Sequence, residues 1–182
     1  FVTTSSSGGT LDFDAGYIVY FENTGGIVEI AGGTVASYDN TSGTGTIEGG
    51  SIENLNVDAG VVTQSGGDVT TAVTITGGEL NTVTGATLTA NTTLTGGTLD
   101  VDDGDIGFVQ NNGGTVEVGG GTVNGIDNTA GNTFVTAGNV DGDVNVNGGL
   151  VSQSGGTLEN DVTVAGGTLP TTGGTIQGNL TQ

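Results

Sequence analysis

The chain has no lysine, no arginine and no histidine. Its 20 Asp and Glu therefore stand without a side-chain cation, and the formal net charge is −20. Nucleic-acid binding needs cations that displace counterions from phosphates, so that class is excluded. Electrostatic docking to an anionic membrane is excluded for the same reason. The usual clamps for carboxylate or phosphate substrates are missing. So are histidine bases and Schiff-base lysines, and the absence of cysteine removes thiol nucleophiles and disulfides together. No apolar run approaches the ~20 residues needed to cross a bilayer as a helix, so no membrane insertion is expected. No signal peptide is recognisable, and a secreted precursor is expected to have been processed before Phe1. A chain without Lys or Arg offers no site to trypsin-like proteases. That suits a saline or protease-exposed exterior, and an extracellular, secreted or cell-surface location is the expectation.

What is present is repetition. Residues 8–26, GGTLDFDAGYIVYFENTGG, run beside residues 96–114, GGTLDVDDGDIGFVQNNGG. Residues 27–43, IVEIAGGTVASYDNTSG, run beside residues 115–131, TVEVGGGTVNGIDNTAG. After a slip of one residue, VVTQSGGDVTTAVTITGG at 61–78 runs beside LVSQSGGTLENDVTVAGG at 150–167. Two tandem copies of about 88 residues, 8–95 and 96–182, fill nearly the whole chain, and repetition on this scale signals a stacked architecture.

Each copy is itself periodic at about 17 to 19 residues. Turns begin near Thr10, Ile27, Thr44, Val61, Glu79, Thr98, Thr115, Asn132, Leu150 and Thr168. The second slot reads Leu11, Val28, Gly45, Val62, Leu80, Leu99, Val116, Thr133, Val151 and Leu169. The ninth reads Ile18, Val35, Ile52, Val69, Leu88, Ile106, Val123, Val140, Leu158 and Ile176. A further apolar position near slot 15 carries Val57, Ile75, Leu94, Val146 and Val164, and Asn111 and Asn128 occupy consecutive turns. Alternation over three to five residues marks short strands with one buried face. Glycine pairs supply corners. Gly, Thr, Val and Asn are poor helix formers. The 39 glycines and the high charge would suit disorder, but in-register apolar columns argue against it. The expected fold is all-β: a single β-solenoid (parallel β-helix) of about ten turns, continuous over 1–182. Stacked amides at Asn111 and Asn128 are expected to hydrogen-bond along its axis.

Candidate chemistry is confined to carboxylates. Asp12/Glu29 and Asp100/Glu117 fall in adjacent turns, as a glycosidase pair would require. They recur in both copies, whereas a catalytic cleft usually occurs once, so no enzyme activity and no organic cofactor are expected. Asp100, Asp102, Asp103 and Asp105 flank Gly104 with spacing that resembles a hard-cation loop, and calcium is the possible ligand. Asp141 and Asp143 form a weaker candidate. Asn40, Asn91 and Asn179 head N-glycosylation triplets. Thr74/Thr76 and Thr93/Thr95 start a threonine array of the kind that orders ice, which then breaks at Gln110/Asn112.

The ends carry the remaining signal. Residues 1–7 are expected to act as an N-terminal pairing strand that lies over residues 178–182 of a second molecule. Aromatic residues cluster in the first copy, as in interface cores. The expected head-to-tail interface comprises Phe1, Val2, Phe13, Tyr17, Tyr20, Phe21 and Leu180, with Tyr38 in the same cluster. A hydrophobic end-plug, or a longer parent protein whose neighbouring repeats do the capping, are the alternatives.

The runs GGTLDVDDG, GGTVEVGGGTV and VSQSGGTLENDVTVAGGTL resemble the Gly-Gly-Thr-rich passenger repeats of bacterial autotransporter adhesins. That resemblance implies a secreted or surface-anchored β-helix in adhesion, aggregation or a matrix. The 182 residues depart from it in lacking Lys and Arg and a β-barrel pattern. The expected function is an extracellular structural subunit that partners itself in a head-to-tail fibre, sheath or matrix filament. A surface-adhesin shaft that contacts cell-surface glycans is the alternative, and an ice-binding solenoid a lesser one.

Overall fold

A computed structural model describes residues 3–182; Phe1 and Val2, two of the expected interface residues, lie outside the described residues. Among the described residues there is no helix, and 23 strands form one continuous sheet, the longest, such as Thr34–Ile47, running round corners onto more than one face. Every strand pairing is parallel, and partners lie 17 to 19 residues apart, as in Thr10 beside Ile27, Val61 beside Glu79 and Glu79 beside Thr98. The chain is therefore a β-solenoid of about ten coils, as its periodicity predicts.

Each coil has three faces. Thr10–Phe13, Val61–Gln64, Glu79–Thr82 and Thr98–Val101 lie on the first. Tyr17–Ile18, Thr87–Leu88 and Thr175–Ile176 lie on the second. Thr3–Ser6, Asn91–Leu94 and Leu180–Thr181 lie on the third. Strand alternation sends every second side chain inward. The columns of the second and ninth slots become the interior ladders of the first and second faces, with Val28, Val62, Leu80, Leu99 and Val116 in one and Val35, Ile52, Val69 and Leu88 in the other, all buried. An extra residue in each longer coil falls at the corner between the second and third faces, and the 19-residue coil adds another between the first and second faces, at residues 83–86. Thr70 and Thr71 separate Val69 from Ala72, where a 17-residue coil has only Ala36 between Val35 and Ser37. The bulge keeps both faces in register while it moves the inward positions of the third face by one slot.

That shift corrects the reading of the aromatic cluster. Phe21 and Tyr38 are 1% and 0% exposed, with ring centroids 5.4 Å apart, and they fill the third face from inside. The strand Thr3–Ser6 lies over residues 20–23, with Thr4 opposite Phe21, so Phe21 presents no end surface. Phe13 is half-buried against the core, Tyr17 is exposed, and Tyr20 faces outward.

The faces do not hold equal numbers of strands. Among the described residues the first and second carry ten each, ending at residues 168–171 and Thr175–Ile176. The third carries eleven, from Thr3–Ser6 to Leu180–Thr181.

Corners are tight. Every positive φ among the described residues belongs to glycine. At Gly67, φ is +68°, and an added Cβ would sit 2.7 Å from the Gly50 carbonyl oxygen of the coil beneath. Gly67→Ala is expected to lower stability by about 1–3 kcal/mol in urea titration, from strained φ and steric conflict. Gly8, with open space around it, is the control, and Gly8→Ala should leave the midpoint within error. Equal effects at the two positions would contradict the corner geometry.

Candidate functional site

The carboxylates between Asp100 and Asp105 do not converge. Asp100 points outward from the first face, beside Glu117 and Asn81 of the adjacent coils. Asp102 is exposed at the corner. Asp103 lies on the corner itself, where its carboxylate accepts from Gly104 N at 2.8 Å and from Thr84 Oγ1 at 2.8 Å. Asp105 starts the second face, beside Thr87 and Thr122. Strand alternation and the corner split the run over three surfaces, and among the described residues no three acidic side chains group as metal ligands. Asp141 and Asp143 are both exposed and flank a corner glycine.

The two stacked carboxylate pairs are real neighbours. Asp12 lies opposite Glu29, and Asp100 opposite Glu117, across one coil spacing of ~4.8 Å. They stand on the outer surface of the first face rather than in a cleft. Burial, then Asp102, Glu117 and Glu79, raise the Asp100 carboxyl above its ordinary value. Asp103 is shifted the other way, first by the Gly104 N–H and then by the Thr84 hydroxyl.

With no cation available, neutral donors hold the acids. Asp39 accepts from Tyr20 Oη at 2.8 Å, from Asn56 Nδ2 at 2.6 Å and from Ser37 Oγ at 3.3 Å. Asp58 accepts from Thr76, Asp68 from the Thr89 hydroxyl and N–H, Asp127 from Asn147, and Asp161 from the Asn179 backbone and side-chain amides. Most of these donors come from a neighbouring coil, so the hydrogen bonds also tie coils together. A hydrogen bond to an ionised acceptor is roughly twice as strong as a neutral one. The bond to Asp39, with burial, pushes the Tyr20 phenol up to about 12.

Inside, asparagine ladders replace apolar packing at one corner. Asn111 Nδ2 donates to Asn128 Oδ1 at 2.9 Å, as the sequence suggests. Asn111 also closes the corner, with Gly114 N donating to its Oδ1 at 2.9 Å and its own amide donating to Asn132 O at 3.0 Å. An equivalent pair, Asn23 and Asn40, was not singled out from sequence. Asn23 Nδ2 donates to Asn40 Oδ1 at 2.9 Å, and Gly26 N donates to Asn23 Oδ1 at 2.9 Å. The signal was there: in the aligned runs Asn23 falls on Asn111 and Asn40 on Asn128. Asn40 is fully buried and so is no glycan acceptor, whereas Asn91 and Asn179 are exposed. The Tyr38 phenol, buried beside this ladder, is raised by desolvation.

The threonine array does not form a regular surface. Thr74 and Thr93 face outward side by side, but Thr76 turns at the corner to donate to Asp58 at 2.7 Å, and the column continues through Gln110, Asp127 and Asn145.

The opposite shifts of Asp100 and Asp103 define a pH experiment. Because the folded Asp100 binds its proton more tightly than the unfolded chain, its contribution is complete below about 3.8 and is lost as pH rises through the raised value. Asp103 contributes above 3.8 and loses that as pH falls through its lowered value. Just above 3.8 only the Asp100 effect operates. Asp100→Asn is therefore expected to raise Tm at neutral pH and to flatten the rise in Tm on acidification toward pH 4, measured by thermal circular dichroism. An unchanged slope would show that Asp100 is not strained.

Comparison with protein-family models, with curated proteins and with solved structures found no match to this chain.

Proposed function

We propose that the chain is an extracellular structural protein, a solenoid subunit that stacks coil on coil with further copies of itself in a filament, sheath or matrix. The observation that carries the reading is the stack itself, in which each coil templates the next through parallel backbone pairing and like-on-like apolar ladders. Parallel strands with free backbone groups beside apolar ladders are a template for more strands. The contact joins unlike surfaces, so it propagates instead of closing.

Charge regulates this contact. A rod with net charge −20 repels its own copies, and the repulsion falls with ionic strength. The absence of Lys and Arg suits exposure to proteases outside a cell. In this reading the chain needs no catalysis and no cofactor.

A second reading, the shaft of a surface adhesin, draws on the outer column of the third face. Asn56, Thr74, Thr93, Gln110, Asp127, Asn145 and Thr163 stand side by side at strand spacing. Amides, hydroxyls and a carboxylate in one row suit the hydroxyl groups of glycans.

Electron microscopy of the purified 182-residue chain separates the readings. Filaments one solenoid wide are expected to appear as salt is raised. Monodisperse short rods at high protein and high salt would overturn the structural reading and leave the shaft.

A further inference from the structure

The chain contains three Asn-Gly steps, at Asn112, Asn124 and Asn147. Such a step can react with itself. The glycine N attacks the asparagine Cγ, a five-membered imide closes, and Nδ2 leaves as ammonia. Glycine favours this because no side chain obstructs the approach. The reaction needs a glycine N–H that is free of hydrogen bonds and an asparagine side chain that can turn toward it. The fold treats the three steps differently.

Two of them are held. Asn112 Oδ1 accepts from Thr129 Oγ1 at 2.7 Å, and Gly113 N donates to Asn111 Oδ1 at 3.3 Å. Asn147 Nδ2 donates to Asp127 Oδ1 at 2.6 Å, and Gly148 N donates to Asn128 O at 3.1 Å. Asn124–Gly125 is held at neither point. Asn124 is exposed, and among the described residues its side chain has no hydrogen-bond partner and Gly125 N has no acceptor.

A mismatch between coils leaves Gly125 N free. Val123 lies opposite Val140 and Ile126 opposite Val144, so Asn124 and Gly125 face three residues, Asp141, Gly142 and Asp143. The flanking groups still pair: Asn124 N donates to Ile106 O at 2.9 Å, and Ile126 N donates to Asp143 O at 2.9 Å. Gly125 N falls at the slip and meets no carbonyl. The residue there is held to glycine by a φ of +111° and by the Phe108 ring, 3.1 Å from where a Cβ would sit.

The geometry points to Asn124 as a site of spontaneous deamidation, with the fold confining the reaction to this one step. Gly125 N gives up its proton to solvent and bonds to Asn124 Cγ. The Cγ–Nδ2 bond breaks, and ammonia leaves. Water then opens the imide. Cleavage between Cγ and Gly125 N gives aspartate; cleavage between the main-chain carbonyl carbon and Gly125 N gives isoaspartate. One water is taken up and one ammonia released. The new carboxylate adds one negative charge to the −20 of the chain, and it stands beside Asp141 of the adjacent coil. Like charges stacked across strands repel, and the isoaspartyl product also adds a carbon to the main chain at the corner. The chain thus acquires charge with age at a defined place, whether or not copies of it stack.

Cleavage at acidic residues puts the three steps on separate peptides, since Glu117 lies between Asn112 and Asn124, and Asp127 between Asn124 and Asn147. The folded chain is incubated at mildly alkaline pH beside a sample in guanidinium chloride. Mass spectrometry and isoaspartyl methyltransferase labelling then follow each peptide. The quantity read is the folded rate divided by the unfolded rate at each step. That ratio should be about tenfold higher at Asn124 than at the other two, the factor that one retained hydrogen bond gives. Equal ratios at the three steps, or the highest ratio at Asn112 or Asn147, would overturn the assignment. Asn124→Gln should remove the early product, because glutamine must close a six-membered ring. An early product that survives in this variant would place the chemistry at another residue and overturn it as well.

Discussion

The structure depends on one constraint, the in-register parallel pairing of each coil with the next. A parallel ladder sets each residue beside its counterpart at ~4.8 Å, so a residue type that suits one coil must tolerate a copy of itself above and below. Val on Val, Leu on Leu and Ile on Val satisfy this inside. Asparagine satisfies it differently. An amide both donates and accepts, so Asn23 can reach Asn40 and still close its own corner. Acids satisfy it least well, and burial, then Asp102 and the stacked Glu117, raise the Asp100 carboxyl. Elsewhere a hydroxyl or amide from a neighbouring coil takes the role a lysine would play.

The same constraint explains how much of the fold was legible. In-register stacking writes the interior into the sequence as columns, so the ladders from Leu11 to Leu169 and from Ile18 to Ile176 could be read without coordinates. The Asn111–Asn128 bond followed from the same alignment. Legibility failed where position depends on a face assignment. Phe21 looked like an end residue because aromatic residues gather in the first copy, yet the short corner at Val19 turns it inward. The carboxylates from Asp100 to Asp105 looked like a cation loop because they are close in sequence, but one strand end, one corner and one strand start part them.

In the proposed assembly, backbone pairing and apolar ladders that favour another coil act against a surface of one charge sign. Twenty acids without a side-chain counter-charge oppose self-association until ions screen them. In that reading solvent, rather than a ligand, tunes assembly.

Fibre diffraction from aligned assemblies tests the central claim, that the coil stack runs unbroken from one copy to the next, most directly. The account predicts a meridional reflection at ~4.8 Å and an axial molecular repeat of ten strand layers, ~48 Å. Absence of the ~4.8 Å meridional reflection would mean that the solenoids do not stack along their axes at all.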